Sequence, residues 1–436
     1  MTKPHQHIPA LIITSGGSPN AYDLVRALGR AKIFSCVMSS QRRDIAFFSR
    51  YCRQRIVLSP FRRDQYRAIL DSLHRFAEQS KQRPILFYAS DPELHFVSEF
   101  RDDLSKQYRF LLPNRSLLKQ LFNKVSFVTF AQQYELPVPL SLCFASIEEL
   151  DKRVKSISFP CIVKPAYSDD WQWETEHQKD LFGPYKKALR QFNSAEELLA
   201  FCRRLPERPS GFVIQEYVKG RDESIYSFHG YFDERSNCLG YFVGKKIRTY
   251  PMHTGGSTLV RTVDHPTLAA LSIGLLERIG FQGIVKIDFK FDEKRRTFKL
   301  LEINSRYNLW QLLGAYAGVN LAEIAFRHLA NEPFSKLAST ANNYHLLYVK
   351  QDIRALAEGY LKVGEWNLVA YLKSLCCKKC YRVWDSRDPL PFLVSVAGFA
   401  KRNFIRIARM FFPAKFSNSD LGSEVKSSVQ LAAPTK

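Results

Sequence analysis

The 436-residue chain is 45% hydrophobic and 13% aromatic, which excludes an intrinsically disordered protein and leaves room for two or three domains with separate cores. Its formal net charge of +22 calls for an anionic partner or surface, and nucleic acid, an acidic membrane face and phosphorylated substrates all meet that demand. No run reaches about 18 consecutive apolar residues, so no transmembrane helix is expected.

The opening residues carry a short apolar run without the charged region and cleavage site of a signal peptide. Nine cysteines, odd in number and scattered, suit a reduced, cytoplasmic setting. Ile8 to Thr14 reads as a buried strand, followed by Ser15-Gly16-Gly17 and then Ser18-Pro19, a helix start running through Leu28. Ile33 to Met38 and Pro84 to Ser90 read as further strands, and Asp91-Pro92 opens another helix. Alternating strands and helices predict a parallel α/β sheet over about the first 110 residues. The glycine turn lacks the spacing of a dinucleotide fingerprint. It remains a tight turn whose backbone N–H groups can meet a small anion.

Ser116 to Tyr134 reads as one helix carrying Lys124, stopped by Leu136-Pro137-Val138-Pro139. Ser146 to Glu149 and Ser194 to Glu197 are capping boxes. Phe159 to Pro165 and Phe212 to Val218 read as strands, with Ser224 to Tyr231 and Leu239 to Lys246 as antiparallel partners. Asp264 is the expected cap of the next helix, and Leu309 to Leu329 reads as one long amphipathic helix.

Gly283 to Arg306 is the most informative stretch. Val285, Ile287, Phe289 and Phe291 alternate with Lys286, Asp288, Lys290 and Asp292, the pattern of a half-buried strand. If a hairpin turns near Arg295, Asp288 lies opposite Glu302, with Asn304 two positions further on the same face. An oxygen-only set of two carboxylates and an amide suits Mg²⁺, with Mn²⁺ as an alternative occupant. The plainer alternative is a surface hairpin with scattered charges. Lys164 stands alone in an apolar strand, where a buried ammonium needs an anion. With Lys124 it forms a natural grip for a polyphosphate. The backbone of Gln215 to Val218 can read a planar base edge, and Glu223 can accept from ribose hydroxyls.

Taken in order, Lys124 followed by LPVP, FPCIVKP with Lys164, QEYVKGRDES with Glu216 and Glu223, KIDF with Asp288, and LLEINSR with Glu302, Asn304 and Arg306 resemble the ATP-grasp superfamily. Within it the chain looks like the carboxylate–amine ligases of the D-aspartate-ligase-like and carbamoyl-phosphate-synthase-like branches. The resemblance covers roughly residues 116 to 330. It implies α/β and α+β architecture: an ATP-grasp fold behind an N-terminal parallel α/β domain.

The implied divisions are 1–115 for the N-terminal domain and 116–335 for the ATP-grasp domain. The latter splits into a lid subdomain near 140–220 and a metal-binding lobe near 221–335. A C-terminal extension at 336–416 and a disordered tail at 417–436 complete the chain. The resemblance further implies ATP held by Lys124 and Lys164, an adenine pocket at Glu216, Tyr217 and Val218, and Mg²⁺ on Asp288, Glu302 and Asn304. The implied reaction joins a small-molecule carboxylate to an amine through an acyl phosphate, releasing ADP and phosphate. Arg306 is the candidate for steadying the acyl phosphate. Lys245, Lys246 and Arg248, with Thr254-Gly255-Gly256-Ser257, are candidates for orienting the acceptor. Where the family carries a glycine-rich phosphate loop, Ala166 to Tyr185 is acidic and aromatic with the single glycine Gly183.

Pro391 to Phe412 places Phe392, Val396, Phe399, Ile407 and Phe411 on one side of a helix, with Lys401, Arg402, Arg406 and Arg409 mostly on the other. That profile suits an interfacial helix as well as one packed on the body of the protein. It motivates the rival reading of a peripheral membrane or anionic-polymer binding protein with a regulatory ATP site. Nucleic acid is the weakest of the anionic partners, and a homodimer is left open. Cys376-Cys377-Lys378-Lys379-Cys380 lacks a second ligand pair for zinc.

Overall fold

The computed structural model describes residues 8–17, 19–167, 191–205, 211–253, 255–338 and 343–411, with side chains through residue 400. Ser18, Thr254, the 168–185 part of the acidic aromatic stretch and the 417–436 tail lie outside the described residues.

Three sheets organise the chain. The first contains β1 (Ala10–Thr14), β2 (Ser35–Ser39), β3 (Cys52–Val57) and β4 (Ile85–Tyr88), all parallel in the order β3-β2-β1-β4. β1 and β4 are almost wholly apolar, as strands of a sheet covered on both faces are. Every residue of β1 and β4 is buried. The edge strand β3 escaped the sequence reading because its CRQRIV pattern is largely exposed.

The second sheet is small and antiparallel. It holds β5 (Ser141–Phe144), β6 (Cys161–Pro165), β7 (Gln191–Phe192) and β8 (Phe212–Glu216) in the order β5-β8-β6-β7. Both expected capping boxes flank it: Ser146 accepts from the Glu149 amide and Ser194 from the Glu197 amide, each at 3.3 Å. The glutamates reach back one residue further than expected, to the amides of Ala145 and Asn193.

The third sheet is the largest. Its strands are β9 (Ile225–Phe232), β10 (Cys238–Tyr250), β11 (Gly256–Val263), β12 (Gly283–Asp292), β13 (Thr297–Asn304), β14 (Leu337–Ala338), β15 (His345–Leu347) and β16 (Lys379–Tyr381). They run in the order β13-β12-β9-β10-β11-β15-β16, with β14 on β10. Strands from beyond residue 336 therefore complete the sheet that bears the Gly283 to Arg306 hairpin. One face of this sheet packs Phe228, Val285, Ile287, Phe289 and Leu300 against the helix Pro266–Arg278. The other carries the polar residues.

Three predicted elements differ in detail. Ser116 to Tyr134 is two helices, Arg115–Phe122 and Lys124–Gln133, because the Asn123 side chain caps the second by accepting from the Ser126 amide, the local bond that asparagine prefers to mid-helix geometry. Lys124 thus stands in a first turn. Leu309 to Leu329 is also two helices, Gln311–Tyr316 and Leu321–Ala330, separated at Gly318 with φ +96°, a conformation that ends a helix. The helix Pro266–Arg278 is capped by His265, whose Nδ1 accepts from the Leu268 amide, rather than by Asp264.

The C-terminal segment is tied to the first domain by buried charge. Arg26 donates to the carbonyls of Tyr381 and Arg382 at 3.0 and 3.1 Å and pairs with Asp385 at 3.0 Å. Asp388 accepts from Ser49 Oγ at 2.6 Å and the Arg50 amide at 2.9 Å. The turn-rich DSRDP stretch is therefore anchored to the helix Asn20–Arg30 and to the loop before β3.

Candidate active site

The polar face of the large sheet is built in rows. Antiparallel register sets Asp288 opposite Glu302 on one side and opposite Ser227 on the other. The next row is His229, Lys286 and Asn304. Because side chains alternate along a strand, these rows share one face. The register expected for Asp288, Glu302 and Asn304 is thus present. Ser227 Oγ donates to one oxygen of Asp288, and Lys286 Nζ lies 2.6 Å from the other. Among the described residues no group of three or more His, Cys, Asp or Glu side chains gathers into a metal cluster. A divalent cation here would use two carboxylates and an amide. Those donors are all oxygens, which fits Mg²⁺.

Facing this sheet is the small one. Lys164 on β6 donates to Gln215 Oε1 at 2.7 Å, and Gln215 Nε2 donates to Ser141 Oγ at 2.9 Å. The amide is therefore oriented with its oxygen toward the ammonium, so part of the anionic partner expected for Lys164 is a neutral dipole. Lys124 comes to the same side, its amide donating to the Ala166 carbonyl at 2.8 Å just after β6.

Glu216 bridges the two sheets by pairing with Arg295 at 2.6 Å, and Arg295 also pairs with Asp292 at 2.8 Å. The Glu216 and Tyr217 amides donate to the carbonyls of Leu140 and Pro160. The base-edge role expected for this stretch thus cannot use those two N–H groups. Tyr217 lies under Lys290, whose ammonium is 5.2 Å from the ring centroid, and Val218 is buried. Burial holds the Lys290 ammonium below its usual range, Asp222 opposing and Lys246 adding to the effect.

Asp222 and Glu223 share a 3₁₀ turn, Asp222–Ser224. Glu223 is half-buried. Asp222 is buried and accepts from Tyr360 OH, from Thr249 Oγ1 at 3.0 Å and from the His253 amide at 3.2 Å. The His253 ring is held between Asp222 at 3.4 Å and Glu365 at 2.9 Å. The hydrogen bond to Asp222 raises the His253 pKa against the opposing pull of burial, and Glu365 adds to the rise. Gly255 closes this loop. A Cβ there would fall 1.9 Å from the Tyr250 carbonyl carbon, so only glycine permits the approach.

Arg306 pairs with Asp91 at 2.6 Å, joining the end of the hairpin to the N-terminal domain. Burial opposes its charge, but Asp91, with Glu302 and Glu93 further off, lifts its pKa on balance.

Two expected site residues are elsewhere. Arg248 is fully buried and makes a two-pronged pair with Asp352, Nε–Oδ1 3.0 Å and Nη2–Oδ2 2.8 Å, with Nη1 on Ser374 Oγ at 2.9 Å. Trp366 and Tyr371 lie over its guanidinium, each centroid 4.6 Å away. It secures the C-terminal segment and does not face the polar rows. Lys245 lies 5.0 Å from the Tyr226 ring, and Tyr226 packs edge-on to His265 and Phe298. Tyr226 precedes Ser227, so Lys245 is on the helix-covered side and Lys246, one residue on, faces the other way.

Two lysines on this face were not singled out from the sequence. Lys286 and Lys290 read there only as polar alternation, although the period that selected Asp288 put both beside it. His229 is stacked on Phe242 at 4.4 Å and 6°, with Trp310 at 5.1 Å. Burial, then Lys286, depresses its pKa well below the ordinary value. Both its nitrogens, Ser305 Oγ, Asn308 Nδ2 and the Gln311 amide are buried without a hydrogen-bond partner among the described residues.

No family model matches the chain. It is 26% identical over 270 residues to D-aspartate ligase of Enterococcus faecium (strain Aus0004), covering 60% of this chain and 62% of the relative. The chain thus spans about three fifths of that relative's length. An L-amino acid ligase structure from Bacillus licheniformis superposes with a TM-score of 0.55 at 15% identity, over 76% of this chain and 75% of the other. The biotin carboxylase domain of 2-oxoglutarate carboxylase from Hydrogenobacter thermophilus, solved with MgADP, ADP and bicarbonate, gives 0.53 at 14% identity over 76% and 72%. These neighbours share the fold, an N-terminal parallel sheet followed by largely antiparallel ones.

Proposed function

We propose that this chain, whose relatives and structural neighbours indicate the carboxylate–amine ligase branch of the ATP-grasp superfamily, is an ATP- and Mg²⁺-dependent ligase. It joins a small-molecule carboxylate to an amine, most simply on an amino acid. The observation that carries this reading is Asp288 directly opposite Glu302 with Asn304 two residues further along, on a fold whose neighbour binds MgADP.

In the proposed reaction a substrate carboxylate oxygen attacks the γ-phosphorus. The bond to the bridging oxygen of ADP breaks, and an acyl phosphate forms. The amine nitrogen then adds to the acyl carbon, phosphate departs and the nitrogen loses its proton. No covalent protein nucleophile is needed, so the protein's work is positioning and charge stabilisation. Lys164, aimed by Gln215, and Lys124 hold phosphate oxygens. Asp288, Glu302 and Asn304 would hold Mg²⁺, which supplies charge neutralisation on the phosphates when bound. Val218 and the neighbouring carbonyls take the base edge, Tyr217 supplies a ring face and Glu223 meets the ribose. Arg306, fixed by Asp91, offers its remaining N–H groups to the acyl phosphate, and Lys286 and Lys246 add positive charge on the same face. Lys245 and Arg248 take no part.

The test is phosphate release over pairs of amino acids and small acids. ADP and phosphate should appear only with a matched pair, and Glu302→Ala should abolish them. Turnover surviving in Glu302→Ala would sink the assignment.

A further inference from the structure

The helices Val349–Ala355, Leu368–Ser374 and Leu390–Phe411 leave large apolar side chains in solvent. Ile353 is 53% exposed, Val369 62%, Leu372 54%, Leu393 55%, Val396 48% and Phe399 44%. Single exposed apolar side chains are ordinary, but several grouped on one helix side mark an interaction surface. Leu393, Val396 and Phe399 recur every three residues along the last helix, so they share one side of it. Phe399 lies 4.3 Å from the Lys350 ammonium, joining that side to the first helix.

Charge decides what covers this face. Residues 349–411 carry twelve Lys or Arg and five Asp or Glu. All five acids are engaged within the protein: Asp352 by Arg248, Glu358 by Arg354 and Tyr250, Glu365 by His253, Asp385 by Arg26, and Asp388 by Ser49 and Arg50. Lys362, Lys373, Lys378 and Arg387 are exposed. The last helix has four basic residues and no acidic one. Among the described residues no helix is long and apolar enough to cross a membrane. Exposed apolar side chains on a segment with a surplus of basic residues, on a helix too polar to span, are the signature of interfacial binding.

We infer that the exposed apolar side of the last helix, with Lys350 of the first helix against it, docks the protein peripherally on an anionic lipid surface, with Leu393, Val396 and Phe399 entering the headgroup boundary. This does not depend on the ligase reading.

The full-length protein should float with phosphatidylcholine vesicles containing phosphatidylglycerol and stay behind with phosphatidylcholine alone. High salt should release it. The double variant Leu393→Glu/Val396→Glu should lower vesicle affinity by at least about tenfold with circular dichroism and thermal midpoint unchanged. If that variant misfolds, the milder Leu393→Ser/Val396→Ser replaces it with the same expectation. Equal binding to neutral vesicles, no binding to either, or variants that bind as the parent does would each overturn the inference. So would sedimentation showing a dimer that the same variants dissociate, which would assign the face to a second copy. Binding to soluble polyglutamate that matches binding to vesicles would assign it to acidic polymers instead.

Discussion

Lys286 and Asp288, two positions apart on β12, hold each other by an ammonium–carboxylate contact of 2.6 Å. A divalent cation on Asp288 therefore competes with a resident positive charge. Lys286→Met removes the competitor and should tighten Mn²⁺ binding in the absence of nucleotide, read by electron paramagnetic resonance. Asp288→Asn should weaken it by at least about tenfold, the scale on which site partners matter. Weaker Mn²⁺ binding in Lys286→Met would show that the lysine supports the cation site and does not oppose it.

Arg248 and Asp352 are both fully buried and doubly bonded. Removing one partner strands a buried charge, a loss of about 3–5 kcal/mol. Urea unfolding of Arg248→Met should show that loss, whereas Lys245→Ala, on the helix-covered face, should cost less than about 1 kcal/mol. A stable Arg248→Met protein would contradict the structural role.

Arg295 connects the hairpin turn to Glu216 of the small sheet while half-exposed. Exposed pairs contribute about 0–1 kcal/mol, so Arg295→Ala should leave the melting midpoint nearly unchanged. It should nevertheless weaken ATP binding measured by calorimetry, because the proposed nucleotide site includes Glu216. Unaltered ATP affinity would remove the bridge from the site.

His253 between Asp222 and Glu365 makes stability depend on pH. Its folded pKa lies above the ordinary histidine value, so its contribution is complete below the unfolded pKa of about 6.5 and is lost as pH rises through the folded one. Denaturation from pH 6 to 9 should show stability falling with pH, and His253→Gln should flatten that slope. An equal slope in the variant would assign the pH dependence to other groups.

Much of the fold was legible because it rests on local patterns. Alternation in Gly283 to Arg306 identified the hairpin and its register, since a period of two leaves only one face for Asp288, Glu302 and Asn304 once the apolar residues turn inward. The capping serines at 146 and 194 were readable because the cap and its amide lie three residues apart. The helices split at Asn123 and Gly318 were missed where one side-chain bond or one positive φ outweighs an apolar period.

The site divides in the same way. Sequence alone determined the strand residues that share a face and the order of the polar groups along the chain, because both are consequences of spacing. Only the tertiary structure decided that Arg248 turns into the body of the protein, that Lys245 faces the covering helix, and that Lys286 closes on Asp288. It also decided that strands from beyond residue 336 finish the sheet on which that pair stands. Arg248 depends on a partner 104 residues away and on the β-bulges that flank it, and neither is encoded in local spacing; the others depend on which strands and helices are neighbours. The hairpin's carboxylates and the lysines beside them were visible in the sequence; that Lys286 closes on Asp288 at 2.6 Å became visible only once the sheet was assembled.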